Sequence, residues 1–225
     1  MNYTGEALDA TLNIPKLDVE DVTGAMDTSL HEIGHLVDAY AGTTSKSFNA
    51  ITATNKKLIE AVSEGIGSPS QEIIDLFKQN KIDYDEINKT IDISGQLKNI
   101  NQIYRDNGFA SFKDYKKAYN NTFNQLVAKK DYLVRNKFNG ENGLQDIYDA
   151  LSGGLWGDSG KVLYGHGSRY YNSAFSKDKQ CSEIFANYFS LSITRPDLVD
   201  MLRRDKPKLV EALDELLEEI ARGLR

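Results

Sequence analysis

The chain has 225 residues, with 33 acidic and 27 basic side chains and a formal charge of −6. With 40% hydrophobic and 27% charged residues it is long enough to bury a core and is neither disordered nor membrane-embedded in composition. A pI of about 5.2 argues against a nucleic-acid partner, and the single cysteine, Cys181, forbids an internal disulfide or a multi-cysteine metal cage.

No run approaches the roughly 18 apolar residues of a membrane-spanning helix, so no membrane partner is expected. Met1-Asn2-Tyr3-Thr4-Gly5-Glu6 has no basic flank ahead of an apolar stretch. No secretory signal is read there, and a cytoplasmic location is expected. In chain order, Leu12 and Ile14 take alternating positions within Thr11 to Val19, with Leu17 three residues on, which suggests a short strand, and Pro15 assigns it to a sheet edge. A helix is expected from Thr28 to about Ala41, with Leu30, Ile33, Val37 and Tyr40 as its apolar positions and Gly42 as its stop.

From about 45 to 140 the chain reads as a string of helices rich in Lys, Asn and Asp. Ser68-Pro69-Ser70-Gln71 has a capping serine, proline at the first helical position and glutamine at the third. Ser111-Phe112-Lys113-Asp114 starts a further helix reaching about Asn136. Leu144, Ile147, Tyr148 and Leu151 mark a short amphipathic helix, followed by a glycine-rich stretch from Gly153 to Gly167 that holds the only tryptophan, Trp156. Helix resumes from Cys181 to Ser192, and Pro196 and Pro207 each begin another. The last carries Leu209, Leu213, Leu216, Leu217 and Ile220 on one face, and Glu211, Glu215, Glu218 and Glu219 on a solvated one. The sum is a mainly helical α+β domain.

His31-Glu32-Ile33-Gly34-His35 is an H-E-x-x-H pattern on the first of these helices. At about 100° per residue the two histidines lie roughly 40° apart on one face, where their imidazoles can converge on one Zn²⁺. Glu32 points to the side, placed to hold a proton beside a metal-bound water. Asp38 shares the histidine face and can take the free N–H of a ligand imidazole. Two of the three histidines of the chain fall in this motif. A catalytic zinc needs a third protein ligand, and with no spare cysteine the candidates are His166 or a carboxylate. Glu183, Ala186, Asn187 and Ser190 form a small and polar stripe on a helix otherwise lined by Ile184, Phe185, Tyr188, Phe189 and Leu191. A carboxylate beside an alanine suits close approach to another helix, which favours Glu183.

The run His31 to Gly42, with Glu183-Ile184-Phe185-Ala186-Asn187-Tyr188-Phe189 downstream, resembles the gluzincin metallopeptidases, most of all the lethal factor type of catalytic domain. Asp146 to Leu151, Gly165-His166-Gly167 and Tyr170-Tyr171 ahead of Glu183 also resemble zincin-like domains attached to phage minor head proteins. The two motif segments cover about a fifth of the chain. The resemblance implies a single zincin-like domain over 1–225, with a small edge-strand sheet and a helical insertion at 45–140. It implies His31, His35 and Glu183 as zinc ligands, Glu32 as catalytic base and a polypeptide as substrate. The lethal factor pattern has a tyrosine shortly before the ligand glutamate, whereas residues 176–182 here contain none. His166, Tyr170 and Tyr171 are then the nearest groups able to donate to an oxyanion, with His166 and Tyr171 preferred. The edge strand would pair with an extended substrate. The other reading is a phage-associated assembly domain, partnered by phage structural proteins, that keeps its zinc site without turnover.

Overall fold

The computed structural model describes residues 22–44, 50–138 and 141–223. Among them are eleven α-helices: α1 (Val22–Thr44), α2 (Lys56–Ser63), α3 (Gln71–Thr90), α4 (Ile93–Arg105), α5 (Phe112–Lys137), α6 (Glu141–Leu151), α7 (Leu155–Asp158), α8 (Ser168–Tyr171), α9 (Ser176–Thr194), α10 (Pro196–Asp205) and α11 (Pro207–Gly223), with one 3-10 turn at Ile51–Ala53. No strand occurs among the described residues, so the α+β expectation, with its small edge-strand sheet, is corrected to a mainly helical fold. The physical reason lies in the pattern: apart from one short alternation at Leu12 to Val19, the apolar residues recur at helical spacing. That segment lies outside the described residues.

The fold is organised around α9. Cys181, Ile184, Phe185, Ala186 and Leu191 have no solvent exposure and Tyr188 has almost none, so this helix is apolar on most of its circumference, as a central helix must be. Helices α1 and α6 pack along its length, and α2, α8 and α10 pack against it as well. Leu209, Leu213, Leu216 and Ile220 of α11 join the same core while its four glutamates stay exposed, as the sequence pattern predicts. Leu58 and Val62 of α2 and Ile73 and Phe77 of α3 also belong to this core. A second, smaller core gathers Ile87, Ile91, Leu126, Val134 and Phe138 from the far part of α3 and from α5. Helix α4 has no fully buried residue.

Local chemistry explains most boundaries. Pro196 and Pro207 stand at the first positions of α10 and α11, where a missing N–H costs nothing. The Ser111 hydroxyl caps α5, accepting from Asp114 N at 3.2 Å. In α3 the cap is Ser70, accepting from Ile73 N, so the helix starts two residues later than Ser68 and Pro69 suggest. Helix α1 passes through Gly42 to Thr44, and its Tyr40 is 47% exposed, so neither the expected stop nor the expected core role holds.

Gly34 sets the distance between α1 and α9. A Cβ on Gly34 would stand 2.8 Å from the Ala186 Cα and 3.3 Å from its Cβ, closer than real contacts allow. Glycine facing alanine lets the two backbones touch. Replacing Gly34 by alanine forces them apart, with an expected cost of about 1–3 kcal/mol. Chemical denaturation of G34A against wild type measures it, and an unchanged midpoint would show that the contact is not tight.

Candidate metal centre

The side chains that the sequence singles out come from separate elements. Helix α1 supplies His31, Glu32, His35 and Asp38, and α9 supplies Glu183. His166 stands on the glycine-rich segment between α7 and α8, and Tyr170 and Tyr171 lie on α8. His31 Nε2 and His35 Nε2 are 3.1 Å apart, and each is 3.5 Å from Glu183 Oε2. Ligand atoms at about 2.0–2.1 Å from a tetrahedral zinc stand about 3.3–3.4 Å from one another, so the triangle has the right size.

The histidine hydrogen bonds fix which ring nitrogens face inward. Asn187 Nδ2 donates to Asp146 Oδ2 at 2.9 Å and to the Glu183 carbonyl at 2.9 Å, so its Oδ1 is the acceptor that meets His31 Nδ1 at 3.1 Å. The Ser182 hydroxyl is hydrogen-bonded to the Asp38 carboxylate, so its oxygen accepts from His35 Nδ1 at 3.1 Å. Both Nδ1 atoms therefore carry protons, and both Nε2 lone pairs point at the same place. Two lone pairs 3.1 Å apart repel unless a cation sits between them. Glu183 Oε2, on a residue only 4% exposed, has no hydrogen-bond partner, while Oε1 accepts from Tyr170 OH at 2.7 Å. An orphaned buried carboxylate oxygen facing two imidazole lone pairs fits a divalent ion.

The titration behaviour follows the same geometry. Burial, and then the neighbouring His35, lower the His31 pKa. Burial also opposes charging His35, but the Glu183 carboxylate outweighs it and raises that pKa. Burial alone would raise Glu183, yet contacts with His166, His35 and Tyr170 overcome it and hold the carboxyl well below its ordinary range. Burial pushes Asp146 up to about 6.

His166 Nε2 lies 3.3 Å from Glu183 Oε2 and 3.7 Å from Asp146 Oδ2, and its ring stacks on Tyr170 at 4.2 Å between centroids. Its position is built by α6. Asp149, fully buried, accepts from Gly157 N at 2.7 Å and Gly167 N at 3.0 Å, and Gln145 accepts from Leu163 N at 2.7 Å. A Cβ at Gly165 would run into the Asp149 carboxylate, so the loop can close over it only with glycine there. Of the two tyrosines it is Tyr170 that touches the cluster. The Tyr171 hydroxyl is buried without a hydrogen-bond partner. Asp38 is 1% exposed and spends its oxygens on Thr52 N (2.9 Å) and Thr52 Oγ (2.8 Å), reaching His35 through Ser182. In the sequence Asp146 and Asp149 stand out only within the run Asp146 to Leu151 that carries the resemblance, with no role assigned, and Ser182 is given none either.

Two hollows flank the cluster. One, about 460 Å³, is lined by His31, Asp146, His166 and Asn187, with Asp131 and Arg135 from α5. The other, about 600 Å³, is lined by Glu32, His35, Tyr170 and Glu183. No family model, curated protein or solved structure matches the chain.

The hydrogen-bond chains yield two expectations. Ser182→Ala frees the His35 ring and should weaken zinc by about 10–100-fold in a chelator competition, with the fold intact. Asp38→Ala strands two buried donors of Thr52, so it should also lower the stability of the metal-free protein, by about 1–3 kcal/mol on denaturation. Full zinc affinity in Ser182→Ala would show that the hydroxyl does not orient the ring.

Proposed function

We propose that the chain is a zinc-dependent endopeptidase of the gluzincin type, acting on a polypeptide. The observation that carries this reading is the triangle of His31 Nε2, His35 Nε2 and Glu183 Oε2, with both Nδ1 protons already engaged. A zinc ion held there would polarise a scissile carbonyl and lower the pKa of a water to about 7. Glu32 is exposed in the larger hollow beside His35, free to accept the water proton and return it to the leaving amine. His166, whose Nε2 lies near both Glu183 Oε2 and Asp146 Oδ2, stands beside the cluster where it would donate a hydrogen bond to the oxygen that becomes negative. Tyr170 holds Glu183 Oε1 and leaves Oε2 as the ligand atom. Hollows on both sides of the cluster suit a chain that continues past the cleaved bond in each direction.

Glu32→Gln is nearly isosteric and removes only the proton acceptor. It should keep its zinc and lose hydrolysis of an unfolded protein such as casein by about 10²–10⁴-fold or more. Wild-type rates in this variant would end the mechanism. Bound zinc with no hydrolysis by the wild type would favour the assembly-domain reading instead.

The ligand set has its own test. Glu183→Ala should lose zinc, and His166→Ala should keep it while kcat falls. Zinc lost from His166→Ala and retained in Glu183→Ala would transfer the third position to His166.

A further inference from the structure

Away from the metal cluster, α3 and α7 enclose a hollow of about 340 Å³. Its α3 wall is Ile74, Phe77, Lys78 and Lys81, spaced i, i+3, i+4 and i+7, so one helical face turns from apolar to cationic along its length. Its other wall is Trp156 with the turn Ser159-Gly160-Lys161. The Trp156 ring is held from behind: it stacks on Tyr148 at 5.8 Å and 24° and meets Phe77 edge-on at 6.2 Å. The indole is therefore a fixed, half-exposed platform.

Three lysines line this hollow and no carboxylate does. Among the described residues none of the three forms an ion pair, although the chain has more acids than bases and Lys57, Lys137, Arg204 and Lys208 all find carboxylates. The acids nearest in sequence are engaged elsewhere: Asp75 accepts from Gln71, Asp83 pairs with Lys137, and Asp158 accepts from Ser168. Lys161 Nζ lies 5.5 Å from the centre of the Trp156 ring, and Lys81 Nζ donates to the Gly160 carbonyl at 3.3 Å. That second bond ties the turn to α3 and closes one side of the hollow.

We propose that this hollow binds a small apolar anion, an aromatic or short aliphatic carboxylate. Its body would lie on Trp156 and Phe77, and its charge would be met by Lys78, Lys81 and Lys161. The volume is at the low end of the ~300–1,000 Å³ range of small-molecule sites. Aromatic walls with a few convergent charges are the composition such sites have. No strand edge is present among the described residues to recognise a peptide backbone here, which favours a free small ligand over a protein segment. The site is separate from the metal ligands and does not depend on the peptidase reading.

Trp156 is the only tryptophan, so intrinsic fluorescence reads this one wall. Full-length protein titrated with octanoate should give a saturable change in Trp156 emission. Octanol, with the same chain and no charge, should bind about tenfold more weakly. A Lys81→Gln/Lys161→Gln variant should lose about tenfold for octanoate, two exposed charge contacts each being worth a few-fold. These lysines are exposed, so its circular dichroism and zinc content should not change. Equal binding of octanol and octanoate, no saturation by octanoate, or unchanged octanoate affinity in the double variant would each overturn the proposal. So would tighter binding of the acidic aromatic peptide acetyl-Asp-Glu-Phe-Asp-amide than of octanoate, which would assign the hollow to a protein partner.

Discussion

The contact of Gly34 with Ala186 is the constraint on which the site depends. Imidazole and carboxylate side chains are short, and two histidines on one helix can meet a glutamate on another only if the backbones nearly touch. A methyl group at Gly34 would open the gap between α1 and α9, and the triangle of donor atoms would widen with it. The small residues therefore act at a distance from the chemistry, by setting the separation at which it becomes possible. The rest of α9 is clamped by core packing on its other faces, so the helix cannot drift to compensate.

Around that contact, buried polar groups serve as fixtures. Asn187 and Ser182 flank Glu183 on α9, and each orients one histidine of α1 while being held by a carboxylate, Asp146 of α6 or Asp38 of α1 itself. Asp38 in turn secures the Ile51–Ala53 turn, which borders the larger hollow. Asp149 and Gln145 do the same for the loop of His166. Buried carboxylates are costly unless they are hydrogen-bonded, and here the hydrogen bonds of Asp38, Asp146 and Asp149 each bridge separate segments, while Asp146 Oδ1 and Glu183 Oε2 have no hydrogen-bond partner. The ordering of these segments is therefore cooperative.

What the sequence makes legible follows from the range of the forces involved. Pro196, Pro207 and Ser111 act on their own backbone, and the helix starts they predict are found. The apolar faces of α6 and α11 repeat at helical spacing, and both are buried as read. Ser68 and Gly42 fail for the same reason: each is a good local signal next to a stronger one, Ser70 as the cap and the packing of α1 on α9 as the extension. The small and polar stripe of α9 is legible because close helix contact restricts side-chain size. Its contacts with Asp146 and with Tyr170 become visible only once α6 and α8 are folded against it. Whether Tyr170 or Tyr171 faces the cluster turns on the orientation of one short helix, which no residue pattern encodes.

The orientation of His31 and His35 bears on how the centre would fill and empty. Asn187 and Ser182 hold the two Nδ1 atoms, so both Nε2 atoms are turned toward Glu183 by the protein itself. The Glu183 contact that raises the His35 pKa favours a proton where a ligand lone pair would be needed. A cation entering there would compete with that proton, so acidification would work against loading.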